Sequence, residues 1–187
     1  MTKDELYKSL DYVNHSREKR TEMALLVSKN PHLVVPLFEI ANTDDGQISS
    51  RACWVLEFTA RENLPYIIPH LNQFTNILPQ LKRESSIRPM AKICELLMLA
   101  YFKRKEKNIQ KALSTEHLEK ITSACFDWLI GDYKVAAKAY SMTSLYMLGT
   151  KYDWIHSELK IILEQNYAEG SAAYKARARM ALKKIRS

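Results

Sequence analysis

Apolar residues recur along the chain at spacings of three and four, and no stretch alternates between apolar and polar positions as a half-buried strand does. The pattern therefore predicts helices from end to end, joined by short breaks such as Asn30-Pro31 and Gly131-Asp132. Ten helices joined by short connections are expected to pack as stacked pairs. They are expected over residues 3–13, 16–29, 31–42, 47–61, 63–81, 86–104, 115–130, 133–148, 153–167 and 171–186.

The helical pattern repeats at an interval of about 37 residues. Arg51 and Arg88 are separated by this interval, and residues 138–145 align with residues 175–182 at the same shift. The polar segment 103–115 supplies the extra length in the middle of the chain, and we expect it to form a longer helix end and a surface loop. A period of this length with two helices per unit is typical of an α-solenoid, in which neighbouring hairpins complete one another's core. Residues 1–187 are thus predicted to form one repeat domain.

An acidic residue precedes three of the four aligned basic residues by six positions. These pairs are Asp45 and Arg51, Asp132 and Lys138, and Glu169 and Lys175, whereas Lys82 takes that place before Arg88. In this feature the chain resembles the HEAT/armadillo-like repeat family, whose second helices often carry such a pair. The resemblance covers nearly the whole chain and implies an all-α, right-handed α-solenoid of about five HEAT-like helix pairs. It also implies that the six residues form a structural ladder between repeats.

The stretch SSRACWVLEF, residues 49–58, places charged and aromatic residues in an otherwise apolar helix. Second helices of an α-solenoid line its concave surface, so polar residues on one face of these helices are candidates for a partner-binding groove. Spacings of three and four select Trp54, Glu57 and Arg61 on one helix and Arg88, Lys92 and Glu95 on the next. The structural alternative is that Trp54 fills a gap between repeats and Glu57 pairs with Arg61 across one turn.

The positive charge is concentrated in the second part of the chain. Residues 1–100 contain twelve Lys/Arg and twelve Asp/Glu, and residues 101–187 contain sixteen and nine, which accounts for the formal net charge of +7. On the last predicted helix, Lys175, Arg179 and Lys183 recur at a spacing of four, with Arg186 close to the same face. This face is a candidate for binding anions, including nucleic acid, although a solvated terminal helix explains the same residues.

Several function classes are disfavoured by what the sequence lacks. It has no apolar run of about 18 residues and no apolar core in the N-terminal MTKDELYKSL, so we expect a cytoplasmic protein without a membrane span. Its three cysteines and five histidines are scattered, which predicts buried thiols and neither a metal site nor a cofactor. Glycine-rich phosphate loops and nucleophile elbows are also absent.

Two resemblances suggest enzymes. The string SSIRPMAK at residues 85–92 is similar to the S-S-x-M-P-x-K loop of the fumarase/adenylosuccinate lyase superfamily, and short bacterial proteins that this chain resembles have been labelled adenylosuccinate lyase. Here Arg88 replaces the loop methionine and no glycine flanks the string, so Ser85 or Ser86 is interpreted as a helix N-cap. Small basic HEAT-like solenoids from bacteria also include DNA alkylpurine glycosylases, which use an aspartate and tryptophans. Candidates of those types are Trp54, Asp127 with Trp128, and Asp153 with Trp154, but that family's motif does not align with them.

The sequence therefore favours a non-catalytic binding or scaffolding module that holds a protein or peptide on the concave face of a helical repeat. The alternative is a nucleic-acid-binding solenoid, with alkylpurine glycosylase activity as one form of it. Adenylosuccinate lyase activity is a remote alternative.

Overall fold

The structure is a computed structural model that describes residues 1–43 and 46–185. All regular secondary structure in these ranges is helical, which confirms the predicted all-α class. The described α-helices are α1 Lys3–Ser9, α2 Arg17–Lys29, α3 Val34–Ala41, α4 Gly46–Glu62, α5 Leu71–Ile77, α6 Glu84–Met98, α7 Lys107–Ala112, α8 Thr115–Ile130, α9 Val135–Gly149, α10 Asp153–Gln165 and α11 Ala172–Ile185.

Most helix boundaries follow the sequence pattern to within a few residues, but the single helix expected over 63–81 is wrong. Only α5 is α-helical in this stretch, and it is flanked by the 3-10 turns Leu64–Tyr66, Ile68–His70 and Leu78–Gln80. Each of these turns has a proline at its second position. Proline has no backbone N–H and clashes with the preceding turn, so it is tolerated at a helix start and interrupts a longer helix.

The chain divides into two compact units, Met1–Leu96 and Leu97–Ser187, called unit 1 and unit 2 below. Unit 1 is organised around α4, which packs against both α2 and α3, and α1 packs against α3. Eleven residues of α4 are buried, on every side of the helix. A helix that is buried all round lies inside a core, so polar side chains on α4 must find partners there.

Unit 2 is organised around α9, which packs against α8, α10 and α11. Small residues such as Ala137, Ser141 and Ser144 are buried on α9 and let neighbouring helices approach closely. At the end of α9, a Cβ atom on Gly149 would overlap the ring of His156. That ring stacks on Tyr146, and its Nε2 lies 2.8 Å from the Tyr146 carbonyl oxygen. The packing of α10 against α9 therefore requires glycine at position 149.

The polar segment 103–115 contains more helix and more buried residues than the sequence predicts. After α6 the chain forms a π-helical turn, Leu99–Lys103, and then the short helix α7. Ile109 on α7 is fully buried, and Leu113 just after it is nearly so. The expected longer helix end is present, but the expectation of a surface loop after it is wrong, because Ile109 and Leu113 within the polar string anchor this segment in the core.

The cysteine prediction is confirmed, since Cys53, Cys94 and Cys125 are all free and buried. In the described ranges no group of three or more His, Cys, Asp or Glu side chains could hold a metal ion. No helix of the described chain is both long and apolar enough to cross a membrane.

Candidate functional site

A buried carboxylate holds two arginines on one side of unit 1. The side chain of Glu57 on α4 is fully inaccessible to solvent. Its Oε1 accepts from Arg61 Nε at 3.0 Å and Nη2 at 2.6 Å, and its Oε2 accepts from Arg88 Nη2 at 2.9 Å. The sequence brings these groups together because Arg61 lies one turn after Glu57, and Arg88 lies on α6. Both carboxylate oxygens are thus bonded, as a buried charge requires.

A third arginine lies against the same group from α2. The Arg20 guanidinium carbon lies 5.3 Å from the ring centres of both Trp54 and Phe58, within the range of a cation–π contact. Its Nε donates to the Ser16 carbonyl at 3.3 Å, and its Nη2 donates to the His15 carbonyl. Burial lowers the pKa of Arg20, and the nearby positive charge of Arg88 lowers it further. Arg20 is therefore fixed in position and close enough to Arg88 and Arg61 for their positive charge to lower its pKa.

Arg20, Arg61 and Arg88 are called the arginine cluster below. Its only carboxylate partner among the described residues is Glu57, so three positive charges face one negative charge. The side chains of Arg61 and Arg88 remain 36% and 29% exposed, so the cluster is open to solvent on its outer side. The cluster therefore carries a surplus of positive charge over Glu57 that faces solvent.

A separate pocket of about 300 Å³ is lined in part by Trp54, whose ring also contacts Arg20 of the cluster. His15, Arg51 and Arg83 contribute to its lining, and the His15 ring lies 5.0 Å from the Trp54 ring. The Trp54 indole Nε1 donates to the Ser85 carbonyl at 2.7 Å, which ties α4 to α6 at the pocket wall. Arg51 and Arg83 thus line this pocket together with Trp54.

The structure brings four of the six predicted groove residues into direct contact, either with one another or with Arg20. These are Trp54, Glu57, Arg61 and Arg88. Lys92 and Glu95 form a separate ion pair, 2.5 Å long, one turn further along α6. Sequence reasoning missed Arg20. The available signal was its spacing, because Arg20 precedes the buried Met23, Ala24 and Val27 by three, four and seven positions and so borders the buried face of α2.

The predicted ladder residues have different surroundings in the two units. Arg51 Nη1 donates to two oxygens of Asp11, the side-chain Oδ1 at 2.5 Å and the backbone carbonyl at 3.0 Å. Asp45, its predicted partner, lies outside the described residues. Arg51 and the aligned Arg88 thus both reach a carboxylate on an earlier element of unit 1. In unit 2, Asp132, Lys138 and Glu169 line one pocket of about 380 Å³. Neither they nor Lys175 form an ion pair within the described chain, so the ladder stays a prediction there.

The predicted anion-binding face on α11 is partly described. Arg179 and Lys183 are exposed, Lys175 is half-buried, and Arg186 lies outside the described residues. Arg179 Nε donates to the Tyr167 hydroxyl at 3.2 Å. These cations make no ion pair with described residues, so their charge is available to solvent.

Most of the residues that suggested the two enzyme families take part in packing or in hydrogen bonds between helices. Ser85 and Ser86 lie in the first turn of α6, which begins at Glu84, so the N-cap interpretation is wrong. Their hydroxyls bond to that of Ser50 at 2.7 and 2.9 Å and hold α4 against α6. In unit 2, Asp127 is exposed and Trp128 is buried. Trp154 is 56% exposed, and its ring stacks on that of Phe126 with the ring centres 5.9 Å apart. No hydrogen bond joins Trp154 to Asp127 within the described chain.

The helical pairs can now be set beside known families. A family model described as a HEAT repeat domain matches residues 7–185. The chain belongs to the HEAT repeat family. No curated protein and no solved structure was found to match it. HEAT repeats are helical scaffolds that present extended surfaces for binding, so membership in this family accounts for the fold and leaves the ligand to be argued from the site.

Proposed function

We propose that this HEAT-repeat protein is a non-catalytic scaffold that binds an acidic segment of a partner protein at the arginine cluster of unit 1. The observation that carries the proposal is the charge imbalance around Glu57. Three guanidinium groups share one buried carboxylate, and the outer sides of Arg61 and Arg88 face solvent. An acidic segment supplies the missing negative charge.

The chemistry of the surface suits a protein ligand. Arginine is enriched among the residues that dominate binding energy in protein interfaces, whereas Trp54 is only 8% exposed and serves as support beneath Arg20, in agreement with its interpretation as a packing residue. Arginine also binds carboxylates in a planar, two-point geometry that lysine cannot provide. Trp54 is held by its bond to Ser85, and Arg20 is held by two backbone carbonyls, so binding requires little further ordering of these side chains.

Selection from a displayed library of random peptides tests the proposal, with the full chain as the immobilised target. We expect the selected peptides to be enriched in Asp and Glu and to bind Arg88→Gln about tenfold more weakly than the unmodified chain, because one charged contact is lost. Arg104→Gln is the matched control, since Arg104 in unit 2 pairs with Glu106 on the surface. Selected peptides without acidic enrichment, or with equal affinity for Arg88→Gln, would show that the cluster is not the binding site.

A second candidate function is nucleic-acid binding by unit 2, and the specific observation behind it is the unpaired charge of Lys175, Arg179 and Lys183 on α11. Each phosphate that such cations neutralise adds about 0.9 to the salt slope of duplex binding. Arg179→Ala is then expected to reduce the slope by about one unit. Weak binding at physiological salt, with the same slope in both proteins, would contradict this candidate.

A further inference from the structure

We infer that, within the acidic segment that it binds, the arginine cluster prefers the doubly charged phosphate monoester of a phosphorylated side chain to the carboxylate of Asp or Glu. This inference rests on the proposed function and specifies its ligand. It follows from the number of charges and the number of hydrogen-bond donors that the cluster leaves unused.

The charge balance points to a dianion. Glu57 neutralises one of the three positive charges, which leaves a surplus of two. An aspartate or glutamate of a partner would neutralise one of these. A phosphodiester in a nucleic-acid backbone also carries a single charge. A phosphate monoester, whose second pKa is about 6, carries close to two negative charges at neutral pH.

The free donors suit a phosphate as well. Arg61 uses Nε and Nη2 for Glu57, and Arg88 uses only Nη2 for it. Arg20 uses Nε and Nη2 for backbone carbonyls. Each guanidinium carries five N–H donors, so all three side chains retain N–H groups that make no hydrogen bond to the described residues. A phosphate monoester offers three strong acceptor oxygens to these donors, whereas a carboxylate offers two.

The site is also held in advance of binding. Glu57 fixes Arg61 and Arg88 from the core side, and the rings of Trp54 and Phe58 support Arg20. Arginines that are already ordered lose less conformational entropy when a ligand binds. Arginine clusters are a recurring means of recognising phosphorylated motifs, and here Glu57 positions two of the three arginines.

Nuclear magnetic resonance titration of the ¹⁵N-labelled full chain tests the inference. The chain has 3 tryptophans, so the indole N–H signal of Trp54 can be identified among few others and reports on the cluster. The probes are inorganic phosphate, dimethyl phosphate, and two short alanine peptides that differ only in a central phosphoserine or aspartate. We expect saturable shifts at Trp54 and at Arg61 Nε–H, with the phosphoserine peptide binding about tenfold more tightly than the aspartate peptide and dimethyl phosphate binding least.

Variants separate binding from folding. Arg20→Gln removes one cation without leaving Glu57 unpaired, and we expect it to weaken phosphoserine-peptide binding about tenfold while circular dichroism stays unchanged. Arg104→Gln is expected to bind as the unmodified chain does. Equal affinities for the phosphoserine and aspartate peptides would overturn the dianion inference and leave the acidic-segment proposal standing. The absence of a saturable shift at Trp54 with phosphate and the phosphopeptide would overturn the inference too, and the peptide selection would then decide the proposed function by itself.

Discussion

Replacing Glu57 with glutamine tests whether the buried carboxylate holds the arginine cluster in place. The change keeps the size of the side chain but removes its charge and puts an amide donor opposite an arginine donor. Hydrogen bonds to charged groups contribute about 1.5–3 kcal/mol, and removing one member of a fully buried pair costs about 3–5 kcal/mol. Arg61 and Arg88 are 36% and 29% exposed and can be rehydrated, so the upper range does not apply. We expect a loss of about 2 kcal/mol in the free energy of unfolding.

Urea unfolding of the full chain, followed by circular dichroism, measures this loss. The matched control is Glu106→Gln, because Glu106 forms an ion pair with Arg104 in which the side chains are 33% and 47% exposed. Surface pairs of this kind contribute about 0–1 kcal/mol, so the control is expected to change stability by less than about 0.5 kcal/mol. If Glu57→Gln and Glu106→Gln unfold at the same urea concentration, the carboxylate does not organise the cluster and the reasoning from its burial is refuted.

Three other properties follow from the structure. Burial raises the pKa of Cys53 to about 12 from an ordinary value of 9.0, and all 3 cysteines are buried. Iodoacetamide at mildly alkaline pH is therefore expected to label no cysteine in the folded chain and all 3 after denaturation. The stability linked to the Cys53 thiol is complete below pH 9.0 and is lost as the pH rises towards 12. Burial lowers the pKa of His117, whose Nδ1 accepts the Ser114 N–H at the start of α8. The stability linked to His117 is therefore complete above pH 6.5, its ordinary pKa, and is lost as the pH falls below 6.5. His117→Gln keeps an acceptor and is expected to remove this part of the pH dependence of urea unfolding. Deletion of residues 105–110 is expected to destabilise the chain by about 2 kcal/mol or more because it removes the buried Ile109, with Ile109→Ala showing a similar loss and Lys107→Ala almost none.

Periodicity was sufficient to predict the helices because most of the core is made of apolar residues at helical spacing. The prolines at 65, 69 and 79 were visible in the sequence, but their effect on the helix expected over 63–81 was not anticipated. Ile109 was harder to recognise, since Ile109, Ala112 and Leu113 cover little more than one helical turn within a polar string, and so short a run shows no clear period. Its burial depends on contacts with the rest of unit 2 that no local pattern encodes.

The candidate site was predictable where its members share one helix. The spacing from Trp54 to Glu57 to Arg61 placed these residues on one face of α4, and the structure confirms that Glu57 and Arg61 pair. Sequence spacing could not show that Glu57 is fully buried, nor that Arg88 reaches it from α6. Arg20 comes from α2, and a contact between side chains on separate helices depends on packing, which the repeat period alone does not specify.

The most direct test of the binding account is to locate an acidic peptide on the folded chain. The measurement is a ¹⁵N chemical-shift map of the full chain titrated with an oligoglutamate peptide, compared with the same titration of Arg88→Gln. The account predicts that the largest saturable shifts occur at the Trp54 indole and the Arg61 and Arg88 side-chain N–H groups, and that Arg88→Gln weakens them about tenfold. If the largest shifts instead lie on α11, or if Arg88→Gln leaves the binding curve unchanged, the arginine cluster is not the site that binds the partner.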